Sequence, residues 1–146
     1  MRDDRRYWPE FLDTNILVYS FEVGGDTAKQ SVARQRVDSA LDNHDAVISF
    51  QVVQEFLSVA TRKSRVRMNP AEGHYYLEHV LMPLCAVFPG QELYHEALSI
   101  KEETGWTFYD SLIVSAAVAA GCRRVLSEDL QHGRKIHGVE IQNPFL

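Results

Sequence analysis

The stretch Glu10–Tyr19 reads Glu-Phe-Leu-Asp-Thr-Asn-Ile-Leu-Val-Tyr, and it predicts the fold more strongly than any other part of the chain. Its first half predicts a short strand over residues 10–13, and its second half leads directly into a helix over residues 15–21. Asp13 closes the apolar part of the strand, although an unpaired charge at the edge of a core is costly to bury. Asp13 is therefore a candidate functional residue, and its structural alternative is the N-cap of the following helix.

Three further acids stand at the ends of apolar elements in the same way. Glu55 interrupts an apolar stretch, Asp110 precedes one, and Asp129 follows a strand-like segment. One such acid would carry little information, but four of them, at the ends of elements that can converge, indicate a common site. Together with Asp13 they predict oxygen ligands for a hard divalent cation, Mg²⁺ or Mn²⁺.

These acids also have purely structural interpretations. On a helical wheel Glu55 falls at the rim of the apolar face, where acids are routine. Asp110 fits a capping box with Thr107, with an aspartate in the usual place of Glu or Gln. The helix that follows carries no charge over residues 111–121, which predicts a central helix and places Asp110 at the edge of the core.

The rest of the chain alternates short apolar strands with helices, which predicts an α/β fold with a mainly parallel sheet covered on both faces. Strands are expected at 10–13, 46–48, 85–88, 124–126 and 139–142, and helices at 15–21, 27–43, 49–62, 69–81, 92–103 and 108–120. Thr27 and Ser49 are the expected N-caps of two helices. Sites in parallel sheets form at the carboxyl ends of strands, where Asp13 and Asp129 both lie.

The 146 residues, of which 45% are hydrophobic, are enough for one domain with a real core. We expect a single domain over residues 1–146, in which residues 1–9 are a candidate N-terminal extension. The charged N-terminus lacks the apolar segment of a signal peptide, and the longest apolar run, residues 112–120, is too short to span a membrane. The two cysteines have no metal-ligand spacing and do not indicate a disulfide framework, so a cytoplasmic protein is expected.

The charge pattern bears on nucleic-acid binding. A net charge of −5 argues against general electrostatic attraction to nucleic acid, although a local basic patch is compatible with it. One basic run supplies the candidate substrate-binding residues Arg62, Lys63, Arg65 and Arg67. The same cations are equally well explained as a solvated helix terminus.

Other constellations give weaker predictions. Trp106 and Tyr109, close to Asp110, would either stack a base or pack in the core, and packing is the preferred interpretation. The six histidines include no pair at the helical spacing of a zinc site. The sequence also contains no glycine-rich phosphate loop of the common nucleotide-binding folds.

Four stretches of the chain together resemble the PIN domain family and, within it, the VapC-like toxin ribonucleases. They are Phe11–Tyr19, Ser49–Phe56, Phe108–Ile113 and Leu126–Asp129, and the resemblance covers residues 10–145. It implies a three-layer α/β/α sandwich with a central, mainly parallel sheet. It also implies an endoribonuclease that hydrolyses RNA with Mg²⁺ or Mn²⁺ as cofactor.

The resemblance extends to partners. Toxins of this kind usually bind a small antitoxin and form homodimers, so both partners are expected here. The predicted helix at 69–81 offers an apolar face for such a contact, made of Tyr75, Tyr76, Leu77 and Val80.

The resemblance also assigns roles to residues, position by position. The family's four catalytic, metal-binding acids fall on Asp13, Glu55, Asp110 and Asp129. Asn15 and Ser127 match the supporting polar positions beside the first and last acids. Because Glu128 directly precedes Asp129, the residues leave open which carboxylate is the fourth ligand, and the family pattern favours Asp129.

Two other functions fit parts of the pattern. A phosphatase of the haloacid-dehalogenase type also has an Asp at the end of its first strand, but it needs a second acid two residues later, where this chain has Asn15. A non-catalytic PIN-like module that binds RNA or protein would be expected to lack one of the acids, and all four are present. The nuclease is the preferred function, and the non-catalytic module is its alternative.

Overall fold

The strands of the chain form a central sheet. The structure, a computed structural model, describes residues 9–22, 24–62 and 68–146. The strands in this part are β1 (Glu10–Leu12), β2 (Ala46–Ser49), β3 (Cys85–Val87), β4 (Arg124–Leu126), β5 (Lys135–Ile136) and β6 (Val139–Gln142). They are hydrogen-bonded in the order β3-β2-β1-β4-β6-β5, and neighbours are parallel except for β5 and β6.

Helices fill the connections from β1 to β2, from β2 to β3 and from β3 to β4. They are α1 (Thr14–Phe21), α2 (Thr27–Asn43), α3 (Phe50–Ala60), α4 (Pro70–Tyr76), a π-helical turn (Leu77–Leu81), α5 (Met82–Leu84), α6 (Gln91–Thr104) and α7 (Phe108–Ala119). This alternation confirms the predicted α/β class. No described helix combines the length and the apolar character needed to cross a membrane.

A change of direction in the strand order creates the layers. The chain moves outward from β1 to β2 and β3, and then returns to β4 on the other side of β1. The helices α1, α2 and α3 pack together, and α6 packs on α7. Because strand–helix–strand crossovers are right-handed, the return places α6 and α7 on the face opposite to α1–α3. The predicted three-layer sandwich is therefore confirmed, with its switch point between β1 and β4.

The middle of the sheet is fully enclosed. Phe11 and Leu12 of β1, and Val125 and Leu126 of β4, have no exposed surface, as expected of parallel strands covered on both faces. The helix α7 is buried continuously from Ser111 to Ala117, which confirms that it is a central helix.

Two of the predicted helix caps need correction. The N-cap of α2 is Asp26, whose carboxylate accepts hydrogen bonds from the backbone N–H groups of Ala28 and Lys29. An aspartate caps better than a threonine, because its carboxylate also interacts favourably with the helix dipole. Thr27 is therefore the first helical residue. Ser49 stands at the N-cap position of α3, but its hydroxyl makes no capping hydrogen bond.

The short strand β5 was not expected from the sequence. It pairs antiparallel with β6 through the two-residue turn His137–Gly138, in which both residues have positive φ (49° and 83°). Such mirror-image turns suit two-residue hairpins. A strand of two residues is too short to show an alternating pattern, and this explains why periodicity does not predict it.

The predicted contact face at 69–81 is divided between the core and the surface. Asn69 starts α4 with a complete capping box to Glu72. Tyr76 then turns inward and stacks on Phe56, with ring centroids 4.8 Å apart, whereas Tyr75 is 64% exposed. The assignment of Tyr76 to a contact face is therefore wrong.

Candidate active site

Asp13 lies at the switch point of the sheet. Its backbone N–H donates to the carbonyl of Leu126 (3.0 Å), so the end of β1 is tied to the end of β4. One carboxylate oxygen, Oδ1, accepts from the backbone N–H of Thr14 (2.7 Å) and caps α1. The other, Oδ2, accepts from the hydroxyl of Ser127 (2.7 Å). Asp13 is therefore both a helix cap and a buried anchor between two strands.

Asn15 connects Asp13 with Asp129. Its amide nitrogen Nδ2 lies 3.5 Å from Asp13 Oδ2 and 3.2 Å from Asp129 Oδ2, and its amide oxygen accepts from the backbone N–H of Glu128 (3.3 Å). The hydroxyl of Ser127 accepts from the Asp129 backbone N–H (3.1 Å). The loop after β4 is thereby held against the start of α1.

Glu55 reaches the same place from α3. Thr14 Oγ1 donates to Glu55 Oε2 (2.8 Å), and Gln51 Nε2 donates to Glu55 Oε1 (2.7 Å). The same Gln51 nitrogen also donates to the carbonyl oxygen of Tyr109 (3.1 Å). Both Glu55 oxygens are thus held by neutral donors, one beside Asp13 and one that connects to α7.

Asp110 occupies the first turn of α7. Its backbone N–H donates to Thr107 Oγ1 (3.1 Å), so the predicted cap by Thr107 is present. The side chain of Asp110 is half-buried. The preceding residue is Tyr109, whose carbonyl oxygen accepts the hydrogen bond from Gln51. The structure therefore brings Asp13, Glu55 and Asp129 into one hydrogen-bonded network and places Asp110 beside it. These four acids are called the acidic site below.

The two adjacent acids after β4 have different surroundings. Glu128 forms an ion pair with Lys29 of α2, whose ammonium also lies 5.1 Å from the ring centroid of Tyr19. The hydrogen bond to Glu128 raises the pKa of Lys29. Asp129 instead faces Asn15 and Asp13. This geometry favours Asp129 over Glu128 as the fourth acid of the site.

The electrostatics of the site centre on Asp13. The pKa of Asp13 is raised to about 6, mainly because burial disfavours the charged carboxylate. The hydrogen bonds from Ser127 and Thr14 lower this pKa in part, and the charges of Glu55 and Asp129 add smaller increases. An ionised Asp13 thus carries negative charge that neutral donors only partly compensate. A cation at the acidic site would relieve this penalty.

The donor chemistry of the acidic site fits a hard divalent cation, since carboxylate oxygens are the ligands that Mg²⁺ and Mn²⁺ prefer. In the described part of the chain, no three His, Cys, Asp or Glu side chains are gathered closely enough to hold an ion as they stand. The amide of Asn15 and the hydroxyl of Thr14 instead donate to neighbouring carboxylates.

Of the four predicted substrate-binding cations, Arg62 lies among the described residues. Arg62 lies exposed just beyond α3 and donates from Nη2 to Ser58 Oγ (2.8 Å). Lys63, Arg65 and Arg67 lie outside the described residues.

Sequence reasoning missed two residues that orient the acids, Thr14 and Gln51. Gln51 lies one helical turn before Glu55, and this i, i+4 spacing was the available signal. Thr14 directly follows Asp13 and gives no comparable signal, because its partner Glu55 is remote in sequence.

Comparison with known protein families identifies the family of this chain. The PIN domain family model matches residues 11–136, so the chain belongs to the PIN domain family. No curated protein is similar to it in sequence.

Solved structures share the fold at low identity. A toxin–antitoxin complex from Klebsiella pneumoniae aligns with a TM-score of 0.66 at 15% identity, over 92% of this chain and 97% of the other. FitAcB from Neisseria gonorrhoeae aligns with a TM-score of 0.62 at 20% identity, over 93% and 98%. VapC20 from Mycobacterium tuberculosis, described as a sarcin-ricin loop cleaving toxin, aligns with a TM-score of 0.58 at 18% identity, over 82% and 91%.

Proposed function

We propose that the chain is a Mg²⁺- or Mn²⁺-dependent endoribonuclease and the toxin of a toxin–antitoxin pair. The observation that carries this proposal is the hydrogen-bonded network that links the buried Asp13 with Glu55 and Asp129 at the switch point of a PIN domain. Similarly folded proteins include components of toxin–antitoxin complexes and VapC20, described as a toxin that cleaves the sarcin-ricin loop.

The proposed ligands are Asp13, Glu55, Asp110 and Asp129. A bound divalent cation would neutralise charge on the scissile phosphate and lower the pKa of the attacking water. Within the chain, Asn15 and Ser127 hold Asp13 and Asp129 in fixed orientations, and Thr14 and Gln51 do the same for Glu55. Such supporting hydrogen bonds strengthen metal sites because the ligands need little reorganisation.

The remaining elements of the proposal concern substrate and partners. RNA is the substrate, and its backbone phosphates contact the basic run Arg62, Lys63, Arg65 and Arg67, since an acidic protein needs local cations to hold a polyanion. The protein partners are a small antitoxin that covers the acidic site and a second copy of the chain. The proposed location is the cytoplasm, because the two cysteines do not indicate a disulfide framework.

Cleavage assays test the proposal directly. Purified protein is incubated with structured and single-stranded RNAs in Mg²⁺, in Mn²⁺ and in EDTA, alongside the variants Asp110→Asn and Asp42→Asn. We expect wild type and Asp42→Asn to cleave only with metal, because Asp42 is an exposed acid near the end of α2. Asp110→Asn should be inactive.

Two results would contradict the proposal. Cleavage that persists in EDTA would exclude the metal-dependent mechanism. Binding of RNA without cleavage under every metal condition would favour the non-catalytic PIN-like module.

A further inference from the structure

Three aromatic side chains form a partly exposed surface beside the acidic site. Tyr94 of α6 and Phe108 of α7 have ring centroids 6.4 Å apart, and Phe108 meets Tyr109 edge-on at 5.7 Å. We call these three rings the aromatic ledge. Tyr109, at its end, is 67% exposed, whereas Trp106 is half-buried near Arg134. The expectation that both Trp106 and Tyr109 pack in the core is therefore wrong for Tyr109.

The aromatic ledge is attached to the acidic site through the backbone. Tyr109 immediately precedes Asp110, and its carbonyl oxygen accepts from the same Gln51 nitrogen that holds Glu55. The position of Tyr109 relative to two of the acids is thus constrained, although its ring contributes little to the core. Together with Phe108 and the exposed Tyr94, this ring forms a contiguous apolar patch, and such patches are surfaces at which ligands bind.

The chemistry around the ring narrows the choice of ligand. The acids repel phosphate groups, and the net charge of −5 gives no general attraction for a polyanion. The bases of RNA are uncharged and have flat apolar faces, so they bind aromatic side chains by stacking with little preference for sequence. Only an unpaired base presents a free face, because bases in a duplex are stacked on their neighbours.

We propose that Tyr109, supported by Phe108 and Tyr94, stacks an unpaired base next to the phosphodiester that the acidic site cleaves. This inference rests on the proposed nuclease function and makes it more specific. The interaction positions the substrate and leaves the chemistry to the acids.

Binding measurements separate the ledge from the nuclease. A short fluorescein-labelled single-stranded RNA and the same strand annealed to its complement are titrated by fluorescence anisotropy, in EDTA and at low ionic strength so that no cleavage occurs. The variants are Tyr109→Ala, Tyr109→Phe and Tyr109→Trp. The matched control is Tyr75→Ala, because Tyr75 is similarly exposed (64%) but lies on α4.

We expect Tyr109→Ala to weaken binding of the single strand roughly tenfold, as truncation of a stacking aromatic does. Tyr109→Phe, Tyr109→Trp and Tyr75→Ala should bind like wild type, and duplex binding should not respond to Tyr109. A strand with an abasic nucleotide at the contacted position should bind wild type roughly tenfold more weakly than the intact strand does. Tyr109→Ala should bind the intact and the abasic strand equally. Circular dichroism checks that each variant is folded.

Several results would overturn the base-stacking proposal: unchanged single-strand binding by Tyr109→Ala, an equal loss for duplex and single strand, or no binding of any single strand by wild type. A Tyr109→Ala variant that binds RNA normally but no longer self-associates in light scattering would likewise replace it with a protein contact. Failure of the nuclease is a separate result: wild type that binds single strands through Tyr109 but never cleaves them overturns the proposed function and supports the ledge.

Discussion

At the scale of single residues, the acids of the site depend on neutral neighbours for their orientation. Gln51 is the clearest case, because one buried amide nitrogen serves both Glu55 and the carbonyl of Tyr109. Its own oxygen Oε1 has no hydrogen-bond partner within the described part of the chain. The Gln51 side chain therefore connects Glu55 of α3 with the backbone that leads into Asp110 of α7.

Replacing Gln51 with Met tests this positioning role. The change keeps the approximate volume but removes both hydrogen bonds, so Glu55 and Asp110 should lose their fixed relation. We expect metal-dependent cleavage to fall about 10- to 100-fold and the free energy of unfolding to fall by about 1 to 2 kcal/mol.

The Mg²⁺ concentration that gives half-maximal cleavage should rise in parallel, and this readout distinguishes positioning from a general loss of stability. Gln54→Met is the matched control, because Gln54 is exposed on the same helix. Full activity of Gln51→Met at wild-type Mg²⁺ concentrations would refute the role.

At the scale of elements, the hairpin of β5 and β6 is attached to α6 by one side chain. His137 lies in the turn, and its two ring nitrogens approach Glu96 and Glu103 of α6, the latter at 2.9 Å. The hydrogen bonds with Glu96 and then Glu103 raise the pKa of His137. The charged imidazole therefore holds the hairpin against the helix.

Stability should consequently depend on pH through this residue. The pKa of His137 is higher in the folded than in the unfolded chain, so its contribution is fully present below about pH 6.5 and is lost as the pH rises through the folded pKa. We expect His137→Asn to remove the loss of stability that wild type shows as the pH rises above about 6.5, with an effect below about 1 kcal/mol because the ion pairs are partly exposed.

Urea denaturation of both proteins across this range measures the difference between their free energies of unfolding at each pH. The contributions of other titrating groups cancel in this difference. Asn suits the comparison because it tolerates the positive φ of position 137. Parallel stability profiles for the two proteins would show that the ion pairs contribute nothing.

At the scale of the whole molecule, folding itself brings negative charges together. β1, α3 and the loop after β4 each carry an acid into the same network. Two such charges about 5 Å apart repel by roughly 3 kcal/mol at an effective dielectric constant near 20, before other charges reduce the effect. The metal-free protein is therefore destabilised by the same residues that we propose bind metal.

Asp13→Asn should separate stability from function. The pKa of Asp13 is raised to about 6 in the folded chain, so above that pH its ionisation opposes folding. Without metal and near pH 7.5, we expect Asn to raise the free energy of unfolding by about 1 kcal/mol and the melting temperature by about 3 °C. Cleavage should be lost, and Mg²⁺ should no longer raise the melting temperature.

Thermal melts of wild type, Asp13→Asn and Asp42→Asn, each in EDTA and in Mg²⁺, measure these effects. If Asp13 served only as the cap of α1, Asn would replace it with little change, because both residues cap well. An active Asp13→Asn variant with an intact Mg²⁺ shift would show that Asp13 belongs to no metal site.

The sequence alone determined the α/β class, most element boundaries and the placement of Asp13 and Asp129 at the carboxyl ends of strands. These follow from local periodicity and from the fact that parallel strands end at one edge of a sheet. The uncharged run after Asp110 likewise predicted a central helix, because a helix without a polar face must be covered.

Only the tertiary structure decided which groups meet across the chain. The pairing of Glu128 with Lys29, the support of Glu55 by Thr14 and the exposure of Tyr109 depend on where the crossovers place α2, α3 and α7. Periodicity reports the direction of a side chain relative to its own helix or strand. It carries no information about residues tens of positions away, because their approach is set by the packing of whole elements.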